Sequence, residues 1–318
     1  MTETTKTIFD QYEIRKTKKQ KSAFIGYVET IAEDLGYSCH VEKSLLTRNI
    51  VIGDPETAKV VYTAHYDTCV GLPFPNFITP KCFPLYLLYQ ILIAVLILIP
   101  LFLAEFIIMF GLVFLSEATG SALLSGLVPL ASLIITLGFL YLFFAGPANK
   151  HTANDNTSGV TTLLDIMADL PPEYRDSVAF IFFDLEEAGL FGSDKYYSKH
   201  KKAMKDTLLI NFDCVSDGGH MIFALRKKAK PYANILQQAY AGNSCIQTEV
   251  LTKGVFYPSD QAKFPCGVGV AALNRTKRGG ILYLGRIHTK KDTIYREENI
   301  EFLKNGSIKL LELMEKDD

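Results

Sequence analysis

The sequence predicts a three-layer α/β/α domain with a mixed, mostly parallel central sheet, interrupted by an inserted two-helix transmembrane hairpin. Three observations carry this reading. Continuous apolar runs typical of covered strands alternate with helical patterns. Residues 83–144 are dominated by Leu, Ile, Phe, Val and Ala. Acids and histidines fall at the carboxyl ends of predicted strands both before and after that stretch, so its two flanks read as one discontinuous domain, 1–80 with 147–318, around a hairpin at 81–146.

Taken in order, residues 12–35 place Phe24, Ile25, Val28, Ile31 and Leu35 at helical spacing and stop at Gly36. Residues 49–53 and 59–65 read as strands. After the hairpin, residues 158–170 read as a helix stopped by Pro171-Pro172, and 177–184 as a covered strand. Residues 208–213 and 267–273 are further inner strands, with helices near 231–241 and at 297–314. Residues 1–22 are polar and Lys-rich without the apolar core of a secretory signal, so the start of the chain is expected to be mature protein.

The hairpin is argued from length and purity. Residues 83–115 carry one charge, Glu105, and residues 122–145 carry none, whereas a spanning helix needs about 20 apolar residues. Both flanks return to one domain, so the number of crossings is even, and two fit. Backbone amides in lipid must be bonded internally, so the spans are helices. Gly111, Gly120, Ser121, Ser125 and Gly126 allow close approach. The first span is longer than needed and is expected to tilt, bend near Pro100 or extend beyond the bilayer. Lys81 and Lys150 bracket the hairpin while its turn carries only Glu117, which places the soluble domain in the cytoplasm. Glu105 reads either as a functional acid within the membrane or as a residue near an interface.

With 33 Lys plus Arg against 34 Asp plus Glu in 318 residues, no broad basic surface points to nucleic acid. The six cysteines form no CxxC pair and no disulfide-like spacing, which suits reduced, buried thiols in a cytosolic compartment.

Singly, the polar residues at the strand ends are ambiguous. His65 and Asp67 share a strand face, so the carboxylate can orient the imidazole toward a metal, but a structural hydrogen-bonded pair fits as well. Asp155 precedes the small-residue helix start Thr157-Ser158-Gly159 and suits a helix cap or a ligand. Glu186 and Glu187 follow an apolar strand directly and diverge, which lets one bind metal while the other faces water. Asp213 and His288 each lie beside a strand, where a turn residue or a satisfied histidine is the plainer reading. Together they supply two histidines and three carboxylates for metal plus one carboxylate as base, the complement that a pair of divalent cations needs.

The series Ala64-His65-Tyr66-Asp67, Ala153-Asn154-Asp155-Asn156-Thr157-Ser158-Gly159-Val160, Phe183-Asp184-Leu185-Glu186-Glu187-Ala188-Gly189-Leu190-Phe191-Gly192-Ser193, Asn211-Phe212-Asp213 and Ile287-His288-Thr289 resembles the dinuclear-zinc exopeptidases. That family includes bacterial leucyl aminopeptidases, glutamate carboxypeptidase and, more distantly, glutaminyl cyclases. The resemblance covers most of residues 20–315 apart from the hairpin, which is foreign to the pattern. It implies two Zn²⁺ ions, one held by His65 and Asp213 and the other by Glu187 and His288, with Asp155 bridging them. It further implies Glu186 as general base, Asp67 orienting His65, and a cis peptide after Asp155. Where the family often reads Ser-Asp-His, this chain has Ser259-Asp260-Gln261; with Tyr257, Asp260 and Gln261 form the substrate-side candidates.

The activity so implied is hydrolysis of a terminal peptide bond, an aminopeptidase by family frequency; the hairpin beside the cleft reads either as a sign of peptides that lie near lipid or as a simple tether. A carboxypeptidase or a zinc amidohydrolase acting on N-acyl or lipidated amino acids is the alternative among enzymes, and an inactive membrane scaffold the alternative outside them. The N/O ligands would also accept Co²⁺ or Mn²⁺. Side-chain preference and oligomeric state leave no signature in the sequence.

Overall fold

A computed structural model describes residues 1–317. It contains two compact units, one of Met1–Phe83 with the chain from Ala148 onward, the other Pro84–Pro147.

The larger unit is built on a sheet of nine strands: β1 (Cys39–Lys43), β2 (Arg48–Ile52), β3 (Val60–His65), β4 (Val178–Phe183), β5 (Leu208–Phe212), β6 (His220–Leu225), β7 (Gln247–Leu251), β8 (Gly267–Arg275) and β9 (Leu282–Tyr283). The order is β1-β2-β4-β3-β5-β8-β6-β7, with β9 on β8. The central strands β4, β3, β5 and β8 are mutually parallel. Antiparallel pairs β1–β2, β2–β4 and β6–β8 surround them. The mixed sheet is therefore as expected.

Alternation on the central strands feeds two cores. Val178, Phe180 and Phe182 of β4 join Val60, Tyr62 and Ala64 of β3 on one face, and Ala179, Ile181 and Phe183 join Val61 on the other. The first face receives α1 (Glu3–Gln11), α2 (Lys18–Asp34), α5 (Ser158–Asp169), α7 (Ala233–Ala239) and α8, which begins at Glu297. The second receives α6 (Phe191–Met204) and Phe264. Such all-apolar strands are the signature of a sheet covered on both sides.

The single helix expected over 12–35 is two helices with a break between them. Thr17 and Gln20 form a capping box that starts α2 at Lys18. The break lets Arg15 turn inward, fully buried, where its Nε donates to the Tyr66 carbonyl at 2.6 Å. Burial lowers the Arg15 pKa to about 10 against the pull of Asp67 and Glu13.

The smaller unit is a pair of helices, α3 (Phe83–Thr119) and α4 (Ala122–Phe144). Both are long and apolar enough to cross a membrane, and none of their apolar windows is buried. Leu88, Phe106 and Leu123 are 63%, 65% and 74% exposed, part of an apolar surface far larger than the few hundred Å² a soluble monomer normally shows. The turn is tighter than the gap 116–121 left between the two expected spans: α3 runs on to Thr119, and Gly120 at φ +65° makes the reversal. Glu105 accepts a hydrogen bond from Thr136 across the pair at 2.8 Å, so this acid ties the two helices together.

Candidate metal centre

The parallel strands β3, β4 and β5 all end at the same edge, and each delivers polar side chains there, as open α/β sheets do. His65 is the last residue of β3 and Asp213 follows β5. Glu186 and Glu187 leave β4 through Leu185, a residue held at φ +54° that turns the chain sharply over the edge. Asp155 precedes α5, where the Asp155–Asn156 peptide is cis, as the resemblance implied. His288, itself at φ +65°, comes from the loop after β9. Non-glycine residues adopt this left-handed region only where their surroundings impose it.

The two carboxylate oxygens of Asp155 face different histidines. Oδ1 is 3.2 Å from His65 Nε2, and Oδ2 is 3.1 Å from His288 Nε2. His65 Nε2 also lies 3.6 Å from Asp213 Oδ1, and His288 Nε2 lies 3.1 Å from Glu187 Oε2. Asp155 is thus shared between a His65–Asp213 group and a Glu187–His288 group.

Electrostatics follow from this crowding. Burial pushes the Asp155 carboxyl up, but the hydrogen bonds and charges of His288 and His65 overcome it and hold Asp155 below the usual carboxylate range. Burial, with Asp213, Glu187 and Asp260 nearby, raises Glu186 well above that range despite His65. Both histidines are held well above their ordinary value by the carboxylates, against the effect of burial. The cluster demands positive charge.

A donor set for divalent cations fits that demand on a direct observation. Glu187 Oε1 and Asp213 Oδ1 are buried without a hydrogen-bond partner, a costly state for polar atoms unless they meet a ligand. Candidate ligand atoms of His65, Asp155 and Asp213 lie within 4.8 Å of one another, and the carboxylate and imidazole types suit zinc.

Several supporting residues were not foreseen. Asp292 accepts from the backbone N–H groups of Asn154 (2.8 Å) and Asp155 (3.0 Å), clamping the shared carboxylate's backbone. Burial and the nearby Asp155 raise the Asp292 carboxyl to about 8. Asn156 donates to the Phe212 carbonyl at 3.0 Å and accepts from Gly159 N–H at 3.0 Å, locking α5 to the end of β5. A Cβ on Gly159 would strike the Phe212 carbonyl and the Asn156 side chain, which is why glycine stands there. Asp67 lies 3.5 Å from His65 Nδ1, and its carboxylate also accepts from the N–H groups of Glu186 (2.9 Å) and Glu187 (3.3 Å). Asp67 therefore holds the acid pair as well as facing the histidine. Only its pairing with His65 had a sequence signal.

The substrate-side candidates differ among themselves. The Tyr257 hydroxyl donates to the Asp213 carbonyl at 2.9 Å. Gln261 is turned into the sheet, donating to the Tyr257 carbonyl at 2.8 Å and accepting from Asn211 at 3.2 Å. Asp260 is fully buried with both oxygens unpartnered, and burial raises it to about 7.

The sequence profile of Peptidase family M28 matches residues 139–310, just over half of the chain. The chain belongs to that family. The match begins after His65 and Asp67, and the fold brings this earlier part to the same edge as the matched residues. No curated protein matches the chain in sequence. Among solved structures it is similar to a Zn-dependent exopeptidase from Parabacteroides distasonis, at 14% identity and TM-score 0.56 over 98% of this chain and 97% of that one. It is similar to a leucine aminopeptidase precursor from Bacteroides thetaiotaomicron, at 14% identity and TM-score 0.55 over 96% and 93%. A glutaminyl cyclase from the same organism, solved with N-acetylhistamine, has 15% identity and TM-score 0.55 over 96% and 94%. At such identities the likeness establishes the M28 fold alone.

Proposed function

We propose that this M28 chain is a membrane-anchored, zinc-dependent exopeptidase that removes N-terminal residues from peptides. The observation that carries the reading is the division of Asp155, one oxygen toward His65 and the other toward His288. His65, Asp213 and Asp155 would hold one Zn²⁺, and Glu187, His288 and Asp155 the second. When bound, such a pair supplies a Lewis acid for the scissile carbonyl and acidifies a water.

The chain's own residues do the rest. Glu186 stands beside His65 and Glu187, held by its N–H bond to Asp67. Its carboxylate would take the proton of the attacking water and deliver it to the departing amine. Asp67 and Asp292 keep the acids in place without touching substrate.

The test uses full-length protein in detergent on peptides that are free, N-blocked, C-blocked or begin with Gln. Release of the first residue only from peptides with a free amine, abolished by chelator and restored by Zn²⁺, is expected. Cleavage confined to N-blocked peptides would replace the reading with a carboxypeptidase or amidase, and ring closure of the Gln peptide without hydrolysis with a cyclase.

We infer that α3 and α4 cross the bilayer with the catalytic unit in the cytoplasm, from Lys81 and Lys150 against Glu117. A membrane-impermeant thiol reagent applied to intact cells should label a Glu117→Cys variant. The exposed Cys245 should react only after permeabilisation. The opposite pattern would reverse the orientation.

A further inference from the structure

Cys69 is 3% exposed and stands outside the two hydrophobic cores of the sheet. Besides burial, Glu187, Asp155, Asp292, His65 and Lys16 are among the charged groups that act on its thiol. Its Sγ, a Glu187 carboxylate oxygen and a His288 ring nitrogen all lie within 4.8 Å of one another. A small buried cysteine that served only to fill space would be expected in apolar surroundings.

Three hydrogen bonds to backbone carbonyls fix its position. Asn149 N–H donates to the Cys69 carbonyl at 3.0 Å, and the Asn149 side chain donates to the Thr289 carbonyl at 3.1 Å. Leu72 N–H donates to the His288 carbonyl at 2.8 Å. The segments bearing Cys69 and His288 are thereby stitched together. Independently, the Glu187 side chain is 10% exposed, and its Oε1 is buried without a partner. Ligand atoms around one tetrahedral zinc lie about 3.3–3.8 Å apart, given bonds of about 2.0–2.3 Å. The His288 contacts to Asp155 and Glu187, 3.1 Å each, already approach that spacing.

We propose that Cys69 is a further metal ligand, its Sγ joining Glu187, His288 and Asp155 around one cation. This rests on the two-ion reading above. The two positions then differ in kind. The Cys69 position has four protein ligands, one a soft sulfur, and selects thiophilic ions such as Zn²⁺, Co²⁺ or Cd²⁺ over Mg²⁺ or Mn²⁺. The His65–Asp213 position has three protein ligands and keeps room for water or substrate. On loading, the Cys69 S–H bond breaks, the proton passes to solvent and the sulfur–metal bond forms.

The test is the spectrum of full-length protein stripped with chelator and reloaded with Co²⁺. A strong near-ultraviolet sulfur-to-cobalt charge-transfer band should accompany the weaker visible bands. Cys69→Ser should lose the near-ultraviolet band and keep visible absorption, whereas Cys214→Ser should keep both. Visible bands without the near-ultraviolet band in the wild type, or a band that survives Cys69→Ser, would overturn the Cys69 assignment and leave the two-ion reading intact. The wild-type spectrum decides this even where the variant does not fold. Failure to bind cobalt at all would remove both.

Discussion

Glu186→Gln should cut peptide turnover by about 10²- to 10⁴-fold, the usual contribution of a positioned general base. The bound metal should stay at the wild-type level. The two parts of that result matter together. Candidate ligand atoms of His65, Glu186 and Glu187 also lie within 4.8 Å of one another, so Glu186 is close enough to be mistaken for a ligand. Gln preserves its volume and leaves the backbone bond to Asp67 in place, but its amide cannot accept a proton. A fall in kcat with KM nearly constant marks a group that acts only in the transition state. Loss of metal would instead make Glu186 a ligand, and undiminished turnover would take it out of the chemistry.

Lys21→Met should destabilise the catalytic unit by about 3–5 kcal/mol, the range for breaking a buried ion pair from one side. The Lys21 and Asp184 side chains are 7% and 2% exposed and form a direct ion pair. Asp184 also accepts from Arg48 N–H at 2.9 Å, so the pair joins α2, β2 and the end of β4, two residues before Glu186. Without Lys21 the carboxylate loses its cation and keeps only neutral donors in a buried setting. Urea unfolding followed by tyrosine fluorescence suits a chain with 16 Tyr and no Trp. Combining Lys21→Met with Asp184→Leu should recover most of the loss, since matched apolar replacements remove the stranded charge. An unchanged midpoint for Lys21→Met alone would show that solvent reaches the pair.

The strand-end residues His65, Glu186, Glu187 and Asp213 could be read because they interrupt or follow apolar runs in a way no solvated face explains. The strands themselves were legible where they are continuous and covered, as in β3, β4 and β5. The edge elements were not. In β1 and β7, half-exposed residues such as Glu42 and Glu249 blur any period, and α6 carries Asp194, Lys195, Lys199, Lys201 and Lys202 on a helix with few buried positions. The apolar run of β6 was overlooked even though it is buried. Arg15, Asn156 and Asp292 escaped for another reason. Each acts on backbone groups far away in sequence, and a backbone N–H or carbonyl leaves no mark on composition. The break that admits Arg15 had a local signal, the Thr17–Gln20 capping box, masked by the apolar rhythm continuing from Tyr12.

His65 leaves the ribosome before α3 and α4, and Asp155 after them, yet the two side chains end 3.2 Å apart. In the topology proposed above, the centre would close only once the chain after α4 has come back to the side that holds His65. A polypeptide arrested with one helix inserted would strand its two halves on opposite sides of the bilayer. Any form with a single helix inserted would therefore lack the centre, so in that topology the hairpin would couple assembly of the site to the parity of its own crossings.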